Sequence, residues 1–377
     1  MAAPNETYLD WNATAPLRPA AAAAVSAVLR HWGNPSSVHR RGRSARQIVE
    51  EARAGVAALV AAAPGDVVFV SGGTEANHLA LAGCGRSRVL VSAVEHDSVR
   101  QAVPGAEPIP VDADGIVDLD ALARLLAGDD RPCIVSVMLA NNETGVVQPV
   151  AEVARLARAH GALFHSDAVQ AAGKIPLDLG LIDADFMTLS AHKLGGPPGI
   201  GALIARGATE LMPLLRGGGQ ERGRRAGTEN LPGIAGFGAA AAAARSELAV
   251  YARVRRLRDT LEAEIATAAP DAVVLAANVP RLPNTSAIAL PGVAAETQVI
   301  ALDLDGVMVS AGAACSSGKV GPSHVLAAMG LPPGLAEATI RVSLGWASEE
   351  DDIGRFLASW MTLYRRCRDL PRRARAA

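Results

Sequence analysis

Short runs of β-forming residues alternate with stretches of helical periodicity through the first two thirds of the chain. No other feature restricts the fold as much. Residues 67–70, 88–92, 133–139, 163–166, 185–190 and 200–205 are strand candidates. Between them lie helical segments, one beginning near Thr74 and another over 149–160. The latter has Pro149 in its first turn, an apolar face of Val150, Val153, Ala154 and Ala157, and Gly161 as its stop. Its Glu152 precedes Arg155 and Arg158, the order a helix dipole favours. Strands separated by helices cannot pair as hairpins, so the pattern implies a mainly parallel sheet covered by helices on both faces.

Beyond a Gly-rich stretch at 216–227 the pattern changes. An Ala-rich helix over 234–250 runs into a charged helical segment over 253–268, and short strands follow at 285–290 and 307–310. The last helix is expected to open at Ser348, with Asp351 three residues on as in a capping box. Its apolar face is Ile353, Phe356, Leu357, Trp360 and Tyr364. A chain of 377 residues exceeds what one core serves. The expectation is an α/β chain of two domains: a large one over 13–250, and a smaller α+β domain over 251–377 on which residues 1–12 pack.

Half the residues are hydrophobic but only 3% are aromatic, so the cores must be filled by Ala, Val and Leu. A net charge of −2, from 36 basic and 38 acidic residues, gives no general attraction to nucleic acid or an anionic membrane. Arg365, Arg366, Arg368, Arg372, Arg373 and Arg375 form a local exception, readable as a solvated tail or as a surface for an acidic partner or tRNA. The four cysteines (Cys84, Cys133, Cys315 and Cys367) are widely spread, as suits a reducing compartment. The start, MAAPNETYLD, carries acids where a signal peptide needs basic residues, and 20–29 is too short to span a bilayer. The expectation is a cytoplasmic protein without a membrane or nucleic-acid partner.

Three places carry chemistry. In Ser71-Gly72-Gly73-Thr74-Glu75-Ala76-Asn77 a strand ends in glycines before a helix. This is either a tight turn with a Thr cap or an anion site made of unpaired N–H groups. No GxGxxG follows the strand and no GxxxxGK[ST] exists, which weighs against dinucleotides and nucleoside triphosphates. Asp167 follows a buried strand and Lys193 ends another, in Ser190-Ala-His192-Lys193. Alone, each is an ordinary loop charge. In this order the set is what pyridoxal phosphate requires: N–H groups for the phosphate, an acid to keep the pyridine nitrogen protonated, and a lysine to form the Schiff base.

The motifs SGGTEAN, AVEHDSV, NNETG, HSDAVQ, SAHK, RAGTEN, SAGAACSS and IRVSLG, in this order, resemble those of cysteine desulfurases of the NifS/IscS type. These are class V aminotransferases of pyridoxal-phosphate fold type I. The resemblance covers nearly the whole chain and implies that fold, that cofactor and no metal. It makes Lys193 the cofactor-linking lysine and Asp167 the partner of the pyridine nitrogen. Gln170 would donate to the phenolic oxygen, and His96 would stack on the ring and act in catalysis. Gly73, Thr74, Glu75, Ser190 and His192 would serve the cofactor, chiefly its phosphate, and Thr228 would reach the phosphate of the second subunit of a homodimer. Asn142 and Arg341 would hold the carboxylate of L-cysteine, a planar Arg fork being suited to it. Outside the resemblance, His96 also reads as a helix cap and Arg341 as a structural ion pair.

Cys315 stands in SAGAACSSGKVGP, a run of small residues unlike the apolar strand that holds Cys133. A thiol there suits a nucleophile, and the resemblance makes it the carrier of a persulfide bound for a sulfur-acceptor protein. Its spacing matches the long-loop group of the family. The chain departs from the family pattern at Ala15 and Ala226, where Thr and Ser are common, and in its Arg-rich ending. The implied reaction is conversion of L-cysteine to L-alanine, with sulfur passed on for iron–sulfur cluster or thio-cofactor synthesis or tRNA thiolation. The alternative is another class V enzyme, an aminotransferase or a selenocysteine lyase, which would not need Cys315.

Overall fold

In the computed structural model, residues 6–207, 209–312 and 323–369 are described. A short first strand, β1 (Thr7–Tyr8), is followed by the strands of the main sheet: β2 (Val67–Val70), β3 (Arg88–Ser92), β4 (Glu107–Ile109), β5 (Cys133–Ser136), β6 (Leu163–Asp167), β7 (Phe186–Ser190) and β8 (Gly201–Ala205). They form a seven-stranded sheet in the order β2-β8-β7-β6-β5-β3-β4. Only β8 runs against its neighbours; β4, β3, β5, β6 and β7 pair in parallel. The sheet is therefore α/β and mainly parallel. The strand expected over 133–139 stops at Ser136, and the chain beyond still bonds to β6 through the Val137 and Leu139 N–H groups.

Helix α1 (Pro19–Leu29) and α2 (Arg40–Leu59) pack on the Ala-rich α3 (Leu231–Ser246). The Ala run and Gly238 are there for proximity: a Cβ added at Gly238 would lie 2.5 Å from the Ala52 Cα. Such spacing lets helix backbones nearly touch without large side chains, which explains a core poor in aromatics. The Ala-rich helix ends at Ser246 rather than 250. A 3-10 turn then leads into α4 (Tyr251–Ala268).

The C-terminal third contains β9 (Val273–Val274), β10 (Thr285–Ala289), β11 (Val307–Met308), β12 (Ser310–Ala311) and β13 (Thr339–Ser343). β12-β13-β10-β9 form an antiparallel sheet, while β11 pairs in parallel with β1 and ties the N-terminal segment to this region. The closing helix, α5 (Glu350–Asp369), buries Ile353, Phe356 and Trp360. It opens one residue later than the Ser348 capping box predicts. The Ser348 hydroxyl instead accepts the Gly345 N–H, and Asp352, not Asp351, accepts the Glu349 N–H. The turn formed by 345–348 occupies the serine before it can cap. Among the described residues, no helix is long and apolar enough to cross a membrane.

Candidate active site

The loops leaving the carboxyl ends of β2, β3, β5, β6 and β7 converge on one cavity of about 270 Å³. This is where parallel sheets place ligands, because helix N-termini and loops gather at that end. The lining includes Gly73 and Thr74 after β2, His96 after β3, Asn142 after β5, Asp167 and Gln170 from the end of β6, and Ser190, His192 and Lys193 from the end of β7.

The turn after β2 leads straight into the helix Gly73–Gly83, whose N-cap is Gly72 and which has no side-chain cap. Its first N–H groups therefore face the cavity side without the expected Thr74 cap, the arrangement an anion needs. Glycine lets β8 pack directly on this turn: a Cβ at Gly201 would lie 2.7 Å from the Gly72 carbonyl carbon. Glu75 turns elsewhere. Its carboxylate accepts the Ser71 N–H at 2.8 Å and pairs with Arg225 at 2.9 Å.

Asp167 is buried, and its two oxygens accept the Val169 N–H and the Asn77 amide at 2.9 and 2.8 Å. Burial still pushes its pKa above the ordinary value, with Asn77 opposing. A cationic N–H facing this carboxyl from the cavity would restore the ionised form. Asn77 also donates to the Ser98 hydroxyl, which in turn lies 2.8 Å from His96 Nδ1. That nitrogen accepts the Ser98 N–H as well, so the hydrogen bonds place the imidazole proton on Nε2. His96 thus caps the short helix Asp97–Arg100, as its alternative reading expects, and also lines the cavity.

Lys193 stands in the 3-10 turn after β7 and donates to the Asn12 and Ala13 carbonyls at 2.6 and 2.7 Å. Burial, with the charge of Lys193 beside it, lowers the His192 pKa to about 4, so this imidazole is neutral near pH 7. An uncapped helix start, a buried carboxyl, an imidazole and a lysine lining one cavity together fit pyridoxal phosphate. The donor types match its phosphate, its ring nitrogen and its aldehyde.

Three sequence-predicted residues lie off this cavity. Glu75 is engaged as described. Thr228 lines a second cavity with Ser71, Glu221, Arg225 and Asn230. Arg341, in β13, donates to the Asn142 carbonyl at 3.0 Å and pairs with Asp10 at 2.8 Å, while its Nε is buried without a partner among the described residues. Cys315 lies outside the described residues, which resume at Ser323. Cys84 and Cys133 are buried, and burial pushes the Cys133 thiol up to about 11, as befits packing rather than reactivity.

The sequence reading passed over four residues that hold this site together: Asn12, Asn77, Ser98 and Lys174. Asn77 had a signal, being one helical turn beyond Thr74 on the same motif. Asn12 had none, since its partners lie 130 or more residues away.

The aminotransferase class-V family pattern matches residues 7–356. A cysteine desulfurase of Cereibacter sphaeroides is 45% identical over 368 residues, 93% of each chain. An IscS-like cysteine desulfurase of Mycobacterium tuberculosis is 40% identical, covering 92% of this chain and 93% of its own. Among solved structures, a NifS-like protein from Rickettsia africae superposes with a TM-score of 0.89 at 35% identity, over 96% of this chain and 99% of that one. The fold is thus pyridoxal-phosphate fold type I, and the chain belongs to the class-V aminotransferase family, among its cysteine desulfurases.

Proposed function

We propose that this cysteine desulfurase carries out its chemistry in the cavity at the carboxyl ends of the parallel strands, with Lys193, Asp167, His96 and Cys315 as principal residues. The carrying observation is the buried Asp167, its pKa raised by burial, lining the same 270 Å³ space as Lys193. Pyridoxal phosphate, when bound, supplies an electron sink that makes the Cα–H of the amino-acid substrate acidic. The residues do the rest.

The N–H groups at Gly73 and Thr74, with the Ser190 and His192 side chains, would hold the phosphate. Asp167 would keep the ring nitrogen protonated, and the Asn77–Ser98–His96 chain would fix the acid and the imidazole relative to one another. Lys193, released from its covalent role by the substrate amine, would take the Cα proton and later return a proton to the product carbon. Its carbonyl partners at Asn12 and Ala13 offer the amine a resting place without neutralising it. Asn142 and Arg341 would receive the substrate carboxylate, for which Arg341 must give up one of its present bonds. The Cys315 thiolate would attack the substrate sulfur. The S–S bond forms as the C–S bond breaks, the electron pair goes to the carbon skeleton, and protonation releases alanine.

The partner calls extend this reading. A homodimer would cover exposed Leu29, Trp32 and Val38, as well as Met212, Leu214 and Leu215. It would also present Thr228 to the other subunit's phosphate. Separate apolar clusters around Phe164 and around Trp360 support a large domain over 13–250 and a small one over 251–377. A cytoplasmic acceptor protein would take the persulfide sulfur.

The test is an assay of purified protein with L-cysteine and a thiol reductant, measuring alanine and sulfide together, beside Cys315→Ala. Equal amounts of both products, lost in a variant that keeps its cofactor colour, support the reading. Alanine or a keto acid without sulfide, or an unaffected variant, would leave a different class-V reaction.

A further inference from the structure

Lys174 is 3% exposed and stands in the turns that follow β6, one helical turn beyond Gln170. Its ammonium donates to Gln170 Oε1 at 2.8 Å and to Asn12 Oδ1 at 2.9 Å. No carboxylate among the described residues pairs with it, and the charges it faces, Lys193 and Arg341, are both positive. Burial therefore drives its pKa well below that of an ordinary lysine. A methionine would fill the same volume without that desolvation cost, which for an unpaired ammonium is several kcal/mol. A residue this costly points to a task.

The bonds show what the task is. The Lys174 amine donates to the Gln170 carbonyl oxygen, so this oxygen faces Lys174 and the amide N–H groups face away. One of these binds the Asn12 carbonyl at 2.9 Å, and Gln170 also lines the cavity. The same Asn12 carbonyl accepts Lys193 at 2.6 Å, while the Asn12 side chain is held by Asn284. Lys174 thus grips both Gln170 and Asn12, the two residues that lie between it and Lys193. We propose that Lys174 is a positioning residue for the reaction: through Gln170 and Asn12 it orients an amide donor toward the cofactor and disfavours a proton on the Lys193 nitrogen.

This rests on the reading of the cavity as the pyridoxal-phosphate site, and two measurements on the holoenzyme separate the ideas. Borohydride reduction followed by peptide mass mapping locates the cofactor-bearing lysine. A cofactor found on a residue other than Lys193 overturns that reading and this proposal with it. With the cofactor on Lys193, the visible absorbance band is titrated with pH in the parent and in Lys174→Met. Loss of an oriented donor and loss of a neighbouring amine act with the same sign, so the midpoint should move up by about half a unit to one unit. The melting temperature should hold or rise, since a desolvated ammonium has been replaced by an apolar chain of equal length. Gln170→Leu, which keeps the amine, should shift the midpoint upward by less, and the double variant should add little to Lys174→Met, which already releases Gln170. A superimposable titration with a lowered melting temperature would show a structural role only and overturn the proposal, as would shifts that simply add. If Lys174→Met does not fold, Lys174→Gln carries the same titration, with a smaller upward shift expected.

Discussion

Around Trp360 the C-terminal third buries Leu257, Leu261, Ile340, Ile353 and Phe356 with almost no polar atom left to satisfy, the indole N–H going to Gln298 at 3.0 Å. Around Lys174 and Asp167 a similar degree of burial holds Glu95, Asp167, Lys174 and His165. There, burial shifts the carboxyls upward and the basic groups downward, His165 to about 3. The first region exchanges apolar surface for packing and gains stability. The second spends stability to hold ionisable groups away from water, where a bound group can meet them. A third place shows that burial of charge is not by itself a mark of function. Arg53 and Glu221 are equally deep but meet in two bonds of 2.8 Å, and Glu221 also accepts the Phe69 N–H. Their charges answer one another, whereas among the described residues Glu95, Asp167 and Lys174 are held by hydrogen bonds to neutral groups.

The contrast can be broken at several points. Removing the amine with Lys193→Ala should cut alanine formation at least about ten-thousand-fold, some 5 kcal/mol of barrier, while leaving the unfolding free energy nearly unchanged. Steady-state turnover beside denaturant unfolding checks both halves. Trp360→Ala should do the reverse, costing roughly 4 kcal/mol of stability by emptying a packed site, with the cofactor's visible spectrum preserved at low temperature. Glu221→Gln leaves Arg53 buried without its charge partner and should cost about 3 kcal/mol. Activity per folded molecule should stay close to that of the parent; a large loss in kcat would mean that this pair belongs to the site after all.

The smallest effect concerns pH. Glu143 is buried, accepts the Ser323 hydroxyl at 2.6 Å and faces Arg341, Asp97 and His96; burial raises its pKa to about 7 from the ordinary 4.5. The folded value lies above the unfolded one. Its contribution to stability is therefore complete below about 4.5 and declines as pH rises toward about 7. Glu143→Gln should flatten the fall in stability between these values by on the order of 2 kcal/mol, as read from melts across the window. An unchanged slope would mean that the carboxyl ionises freely and belongs with the well-paired charges.

The alternation of strands and helices was legible because period-2 and period-3.6 patterns are local. The strand-end positions of Asp167 and Lys193 followed from it, since side chains at the carboxyl ends of parallel strands share one edge of the sheet. The opening of the last helix was misplaced because Ser348 is drawn into a turn with Gly345, a competition between two short-range bonds that residue types do not rank. The strand over 133–139 was read too long because a buried apolar run continues past the last ladder pair.

Residue identity and order by themselves determined the fold class, the cofactor chemistry and most of the cavity's lining, because each rests on a motif read within a few residues. Tertiary structure alone decided which charges are answered within the protein and by which partners. Glu75 is taken by Arg225, Arg341 by Asp10, and Asn12 is brought against Lys174, Lys193 and Asn284 from the far end of the chain. Those pairings depend on burial and on contacts across hundreds of residues. The free energy of a buried charge is set by its neighbours in space, which the order of residues along the chain does not show.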